Sequence, residues 1–169
     1  MMEIMEGPQE PINLKDKINE AFEKLDVSAR WKKAPEALEG TEVLKDKTIV
    51  MVDDVVGVLE SFAPHLIVAT DGKASFITYT GQPLEELVNQ ILGSNPNLVL
   101  MDYHLSGTLK GSDVIRKLKE ANYDGENVGF SSDNNTARDF ENAGAVASIS
   151  KEAGYPEASV QELAKKLSK

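Results

Sequence analysis

Hydrophobic and polar positions follow one another along most of this chain in a way that predicts alternating strands and helices. From Lys47 onward, each short apolar run is followed by a longer stretch with apolar residues at helical spacing. The predicted strands span 48–52, 74–79, 97–101, 127–131 and 146–150. The predicted helices span 57–69, 84–93, 112–122, 135–143 and 157–167. Five such units predict an α/β fold with helices on both faces of one doubly wound parallel sheet.

Several residues within this pattern mark the ends of helices. Pro83 suits the start of the second helix and Gly93 its end. Ser112 can cap the third helix, because a serine hydroxyl accepts hydrogen bonds from free backbone N–H groups there. Pro64 falls inside the first predicted helix, so we expect that helix to be kinked or to begin later than residue 57.

The first 46 residues show a different pattern and are predicted to be an extension to a domain spanning 47–169. A polar, charged stretch near Gly40 to Lys47 separates the two parts. Within the extension, apolar residues recur at helical spacing over 12–26, which predicts an amphipathic helix. Its apolar face can pack on the domain of the same chain or on a second copy, so a homodimer through this helix is one expectation.

Composition narrows the classes of partner and compartment. The chain has 169 residues and a formal net charge of -10, which disfavours binding to nucleic acid. It has no cysteine, so it offers neither a disulfide framework nor a thiolate zinc site. No apolar run approaches the ~20 residues that span a bilayer. We therefore expect a cytoplasmic protein with neither nucleic acid nor membrane as a partner.

Polar side chains follow the carboxyl ends of four predicted strands, which is where ligands bind in folds of this class. In chain order they are Asp53, Asp54, Asp102, Ser131, Ser132 and Lys151. Carboxylates gathered at one edge repel, each close pair by up to ~4 kcal/mol, so the arrangement calls for a cation, and Mg²⁺ suits such oxygen ligands. A carboxylate can also attack phosphorus, with a lysine and a hydroxyl stabilising the transferred oxygens. Singly, each residue has an ordinary explanation as a cap, a turn residue or a surface charge; together they favour a phosphoryl site.

Residues 47–169 resemble a receiver domain of the two-component response-regulator family. The similarity lies in the acidic pair of Val52-Asp53-Asp54, the strand Leu98-Val99-Leu100-Met101-Asp102, Phe130-Ser131-Ser132, Ser150-Lys151, Gly107, Gly111 and Gly144-Ala145. The resemblance implies a flavodoxin-like (βα)5 fold with five parallel strands. It also implies a phosphoprotein that carries an aspartyl phosphate.

The resemblance assigns roles to individual residues. It implies that Asp102 is the phosphoacceptor and that Ser131 and Lys151 assist the transfer. It implies Mg²⁺ as cofactor, held by Asp53, Asp54, Asp102 and the backbone carbonyl of His104. The donor would be a histidine kinase or a histidine phosphotransfer protein. We expect a stand-alone receiver that signals by contact with a downstream protein target and has at most self-phosphorylation and self-dephosphorylation activity.

Two positions depart from the family pattern. Glu152 follows the lysine where the family commonly has a proline with a cis peptide bond. Ser148 stands where a tyrosine or phenylalanine usually rotates in response to phosphorylation. Both departures lie outside the predicted acceptor residues, so the predicted acceptor site is complete. The residues that usually transmit phosphorylation to an output surface are altered.

Three other interpretations are open from the residues. Asp102-Tyr103-His104-Leu105-Ser106-Gly107 also matches the D-x-H-x-x-G motif of cobalamin-binding domains, but it follows the third strand and not the first. A magnesium-dependent phosphohydrolase would need a second acid where His104 stands. A receiver-like interaction module would keep the carboxylates without being phosphorylated. His65, on an apolar stretch, is interpreted as structural.

Overall fold

The computed structural model describes residues 38–151 and 156–168. Parallel strands form one sheet in the order β2-β1-β3-β4-β5. The strands are β1 Ile49–Asp53, β2 Ala74–Thr78, β3 Leu98–Asp102, β4 Glu126–Ser131 and β5 Ala147–Ser150. The helices are α1 Val56–Ala69, α2 Leu84–Gly93, α3 Gly111–Glu120, α4 Ala137–Ala143 and α5 Pro156–Leu167.

This architecture confirms the predicted fold: the described residues form five parallel strands, each followed by an α-helix, in the expected order. Each strand boundary lies within one residue of the predicted one. The helix predicted from residue 135 instead begins as a 3₁₀ turn, Asn134–Thr136, that continues into α4. Pro83 and Gly93 mark the ends of α2 as expected.

One prediction about a helix end was wrong, and for the first helix the later start is excluded while the kink at Pro64 stays a prediction. Ser112 does not cap α3, because that helix already begins at Gly111 and the Ser112 hydroxyl donates to Asp139 instead. The first helix does not begin later than residue 57, since α1 starts at Val56 and continues through Pro64 to Ala69. A proline inside a helix loses one backbone hydrogen bond, and the burial of the surrounding α1 residues offsets that loss.

The sheet separates two apolar layers. Every residue of β1 and β3 is buried, as predicted for central strands. Successive side chains point to opposite faces, so Met51 and Leu100 pack in the layer of α1 and α5. Val50 and Val99 pack in the opposite layer, with α2, α3 and α4. These layers hold the carboxyl ends of the central strands side by side.

A 3₁₀ helix, Glu42–Asp46, packs against α1 and α5. Its Leu44 is fully buried in the same apolar layer as those helices. Gln161 on α5 donates to the carbonyl of Glu39 at 3.2 Å. The last residues assigned to the extension thus contact the domain, whereas the predicted helix over 12–26 lies outside the described residues. Within the described ranges, no helix is both long and apolar enough to cross a membrane.

Candidate functional site

The sheet brings the predicted acidic residues together. β1 ends in Asp53 and its neighbour β3 ends in Asp102, so their carboxyl ends meet at one edge. Asp54 follows directly after β1. One carboxylate oxygen from each of these three residues lies within 4.8 Å of the others. We call these three residues the acidic cluster.

Lys151 reaches this cluster from the end of β5. Its Nζ lies 2.9 Å from Oδ2 of Asp53 and 2.7 Å from Oδ1 of Asp102. The Lys151 backbone N–H donates to the Ser131 carbonyl at 2.9 Å, and its ammonium lies 5.1 Å from the centroid of the Phe130 ring. Lys151 therefore crosses the end of β4 to reach the acidic cluster, as a long side chain on the neighbouring strand can.

The remaining carboxylate oxygens differ in how well they are hydrogen-bonded. Asp53 has a donor on each oxygen, because the Val55 backbone N–H donates to Oδ1 at 2.9 Å. Asp54 accepts one long hydrogen bond, 3.5 Å, from the Ser106 hydroxyl. In the described part of the chain, hydrogen bonds reach only Oδ1 of Asp102. Oδ2 of Asp102 is thus the oxygen that remains for a ligand or a reaction.

Burial and crowding favour the protonated forms of Asp102 and Asp53. Burial raises the pKa of Asp102 to about 7, and repulsion from Asp53 adds to it, while Lys151 acts in the opposite direction. Burial likewise raises the pKa of Asp53 against the effect of Lys151. For Lys151, burial lowers the pKa, but its hydrogen bonds to Asp102 and Asp53 outweigh that effect and raise it. One ammonium does not compensate three carboxylates, so the cluster lacks positive charge.

The donor set of the acidic cluster fits a magnesium ion. Mg²⁺ takes oxygen ligands, is commonly held by one or two carboxylates and keeps several waters. Asp53 and Asp102 are buried, whereas Asp54 is partly exposed and gives access from solvent. A bound cation would supply the missing positive charge. The structure is therefore compatible with the predicted Mg²⁺ site.

The other predicted residues surround this edge. Ser131 is the last residue of β4 and is buried; its Oγ accepts a hydrogen bond from the Asp133 N–H at 3.0 Å. His104 follows β3 by two residues, and its exposed ring places Nε2 3.9 Å from Oδ2 of Asp133. The parts assigned to Ser131 and to the His104 carbonyl stay predictions.

Ser148, on β5, occupies the position at which receiver domains usually have a tyrosine or phenylalanine. It lines a cleft of about 280 Å³ that also borders Ser131 and residues of α4 and α5. The Lys166 ammonium donates to the Ser148 carbonyl, and the Ser150 N–H donates to Glu162. These side chains cover backbone groups along β5, which is an edge strand. Glu152 lies outside the described residues.

One group beside the site was not predicted from the sequence. Tyr103, Ser112 and Arg116 all donate to the carboxylate of Asp139 on α4. Only the position of Tyr103, directly after Asp102, was a signal in the sequence. The residues converge because α3 and α4 pack together, which no local spacing reveals.

Comparisons with known proteins agree with this architecture. Neither protein-family models nor curated proteins gave a match. Among solved structures, the chain is similar to the BeF3-activated DrrB receiver domain, with 21% identity over 72% of this chain and 97% of that chain, and a TM-score of 0.54. It is also similar to a LuxR-family two-component response regulator from Aurantimonas sp. SI85-9A1, with 16% identity over 70% of this chain and 85% of that chain, and a TM-score of 0.53.

A third similar structure is a LuxR-family DNA-binding response regulator from Staphylococcus aureus. It shares 15% identity over 72% of this chain and 96% of that chain, with a TM-score of 0.54. Identities of this size show the fold. The described part of this chain therefore has the fold of response-regulator receiver domains.

Proposed function

We propose that this chain is a response regulator in which Asp102 accepts a phosphoryl group from the phosphohistidine of a histidine kinase or histidine phosphotransfer protein. The observation that carries the proposal is the edge of the sheet where Asp53, Asp54 and Asp102 converge and Lys151 bonds to two of them. This combination supplies a nucleophile, a cation site and a fixed positive charge. It lies at the carboxyl ends of the strands of a receiver fold.

The transfer exchanges one bond to phosphorus for another. Oδ2 of Asp102, which has no protein donor among the described residues, attacks the phosphorus atom. The P–N bond to the donor imidazole breaks, its electron pair stays on nitrogen, and that nitrogen takes up a proton. A P–O bond forms, which leaves an acyl phosphate on Asp102. Most of the protein's contribution is positioning and charge stabilisation, as in other phosphoryl transfers.

The neighbouring residues stabilise the charge on the transferred oxygens. Lys151 holds Oδ1 of Asp102 and is close enough to contact a phosphoryl oxygen there. The Ser131 hydroxyl would donate to another oxygen. Asp53, Asp54 and Asp102 would hold Mg²⁺, with the His104 carbonyl as a further ligand. When bound, that ion neutralises charge on the reacting oxygens.

Output is proposed to occur by contact with a downstream protein in the cytoplasm, with no turnover of small substrates. Besides accepting the phosphoryl group from the donor protein, the chain would have at most self-phosphorylation and self-dephosphorylation activity. A homodimer through the helix predicted over 12–26 stays a prediction, since that segment lies outside the described residues.

The proposal is tested by intact mass after incubation with Mg²⁺ and a small donor, acetyl phosphate or phosphoramidate. We expect the wild type to gain one phosphoryl group and Asp102→Asn to gain none. Asp133→Asn is the matched control, because this exposed aspartate lies near the site but outside the acidic cluster. It is expected to be phosphorylated like the wild type. Removal of Mg²⁺ by EDTA is expected to stop the reaction.

Each other outcome points elsewhere. Phosphorylation of Asp102→Asn as fast as of the wild type would refute the assigned acceptor. Repeated release of phosphate from p-nitrophenyl phosphate would favour a phosphohydrolase. A wild type that gains no phosphoryl group from either small donor or from a panel of phosphorylated histidine phosphotransfer proteins would favour an interaction module.

A further inference from the structure

A second polar cluster lies directly behind the acceptor residue. Asp139 on α4 accepts hydrogen bonds on Oδ2 from the Tyr103 hydroxyl at 2.7 Å and the Ser112 hydroxyl at 2.6 Å. Its Oδ1 accepts from the Arg116 guanidinium at 2.7 Å. We call these four residues the Asp139 cluster. It joins three parts of the chain: the residue after β3, the first turns of α3, and α4.

Tyr103 links this cluster to Asp102 through the backbone. Its N–H donates to the carbonyl of Phe130 on β4 at 3.3 Å, and its carbonyl accepts from the Gly111 N–H at 2.7 Å. Its buried ring packs edge-on against Phe140 of α4, with centroids 5.2 Å apart. The Tyr103 side chain and backbone are therefore held by β4, α3 and α4 at once.

The start of α3 packs equally closely on Asp102 itself. A Cβ atom added to Gly111 would lie 1.9 Å from the Asp102 carbonyl oxygen, so no larger residue fits without moving the backbone. A small displacement of Tyr103 or of the α3 N-terminus would thus be transmitted to Asp102. The backbone here has little room to adjust.

The electrostatics of Asp139 suit a fixed anchor. The hydrogen bond from Ser112, followed by those from Tyr103 and Arg116, lowers the pKa of Asp139 to about 2. Asp139 is therefore ionised at neutral pH, and charge-assisted hydrogen bonds of this kind are shorter and stronger than neutral ones. The cluster has donors for both carboxylate oxygens, so it needs no added ligand.

We propose that Asp139 is a positioning residue for the phosphoacceptor: through the Tyr103 hydroxyl it fixes the backbone after Asp102 and so orients the reacting carboxylate. The inference rests on the proposed function, because the readout of orientation is phosphoryl transfer. Energetic coupling between two sites is reciprocal. A change at Asp102 therefore also changes the contact between Tyr103 and α4.

The test compares Tyr103→Phe with Tyr79→Phe in the full chain. Both tyrosines are 8% exposed and belong to the same apolar layer. The Tyr79 backbone N–H donates to the Asp53 carbonyl at 2.8 Å, so this residue also lies beside the acidic cluster. Within the described residues, however, its hydroxyl makes no hydrogen bond. The two variants thus differ in the bond to Asp139.

We expect Tyr103→Phe to slow phosphorylation by phosphoramidate about tenfold, because poorer orientation of Asp102 would raise the barrier by about 1.4 kcal/mol. Tyr79→Phe is expected to stay within about twofold of the wild type. Asp139→Ala should slow transfer at least as much as Tyr103→Phe. The double variant should be no slower than Asp139→Ala alone, because both changes remove the same bond. Urea unfolding of each variant reports stability separately from rate.

Equal rates for Tyr103→Phe and Tyr79→Phe would overturn the positioning role, whatever their stabilities. If the wild type accepts no phosphoryl group, the proposed function fails. The orientation of the Asp102 carboxylate is then tested separately, by the Mg²⁺ affinity of the two variants. Binding several-fold weaker in Tyr103→Phe than in Tyr79→Phe would support the positioning role, and equal binding would overturn it. A wild type that neither reacts nor binds Mg²⁺ would overturn both proposals.

Discussion

The acidic cluster and the Asp139 cluster lie on either side of the Asp102–Tyr103 peptide. The pKa of Asp102 in the first cluster and that of Asp139 in the second are shifted in opposite directions. In the acidic cluster, the Lys151 ammonium bonds to two of the three carboxylates, and the pKa of Asp102 is raised to about 7 by burial. In the Asp139 cluster, one carboxylate receives three hydrogen bonds, and its pKa is lowered to about 2, mainly by Ser112.

The difference shows that two features decide whether a carboxylate is stable in its ionised form: its burial, and the number of hydrogen-bond donors it receives. The Asp102 side chain is 4% exposed and has one donor, while that of Asp139 is 30% exposed and has three. A buried carboxylate without enough donors gains from a cation or a new bond. A satisfied one is better suited to hold neighbouring elements in place. The contrast yields three predictions.

The largest effect is expected from pH in the absence of Mg²⁺. The pKa of Asp102 is about 7 in the folded protein against 3.8 ordinarily, so the folded state binds more protons between these values. The contribution of Asp102 to the free energy of unfolding is fully present below pH 3.8 and is lost as the pH rises through about 7. The loss amounts to up to about 4 kcal/mol, and urea unfolding in EDTA across this range measures it.

Two controls sharpen this prediction. Asp102→Asn should remove most of the decline, because asparagine does not titrate. Added Mg²⁺ should also reduce it in the wild type, since a cation favours the ionised carboxylates. A decline as steep in Asp102→Asn as in the wild type would contradict the contrast between the clusters.

A smaller loss is expected when the shared ammonium is removed. Lys151→Met keeps an unbranched side chain but leaves Asp53 and Asp102 without their cation. Breaking such a buried pair should lower the free energy of unfolding by about 3 kcal/mol at neutral pH without Mg²⁺. Lys47→Met is the matched control, because Lys47 pairs with Glu126 at 2.9 Å where the side chains are 25% and 41% exposed.

The control variant is expected to lose less than about 1 kcal/mol, as exposed pairs do. Urea unfolding of both variants in one buffer gives the comparison. Equal losses would show that burial at the acidic cluster adds nothing to the Lys151 ion pairs.

The smallest effect is expected at acid pH from Asp139→Asn. The pKa of Asp139 is lowered from 3.8 to about 2, so its stability is present above 3.8 and is lost as pH falls through 2. Because this side chain is partly exposed, the loss is about 1 kcal/mol, and the variant should show a shallower acid decline. Thermal unfolding followed by circular dichroism measures it.

Asp113→Asn serves as the comparison for this substitution. Asp113 also pairs with Arg116, at 3.1 Å, but its side chain is 42% exposed. Its substitution should leave the acid decline close to that of the wild type. Identical acid profiles for Asp139→Asn and the wild type would mean that the Asp139 cluster holds no extra charge stabilisation.

Much of the fold could be predicted from the sequence, because helical and strand periodicities are local properties. The apolar runs of β1 and β3 predicted buried central strands, and the structure places them there. The acidic residues and Lys151 could be grouped for a related reason. Each ends a strand or directly follows one, and neighbouring parallel strands end at a common edge.

Contacts between helices could not be predicted in the same way. Ser112 suits a helix cap by residue type, but its hydroxyl donates to Asp139, 27 positions away. Tyr103 and Asp139 are 36 positions apart and meet because their elements pack on the same side of the sheet. The rotation of a helix on the sheet depends on many apolar contacts together, so no short motif encodes it.

By itself, the sequence determined the order of the elements, the strand ends and the polar residues at those ends. These features depend on periodicity over a few residues and on chain connectivity. Only the tertiary structure decided which oxygen of Asp102 lacks a donor, how Lys151 divides its hydrogen bonds, and why the pKa values of Asp102 and Asp139 move in opposite directions. Those properties depend on burial and on distances between groups far apart in the chain, and they exist only once the layers have packed.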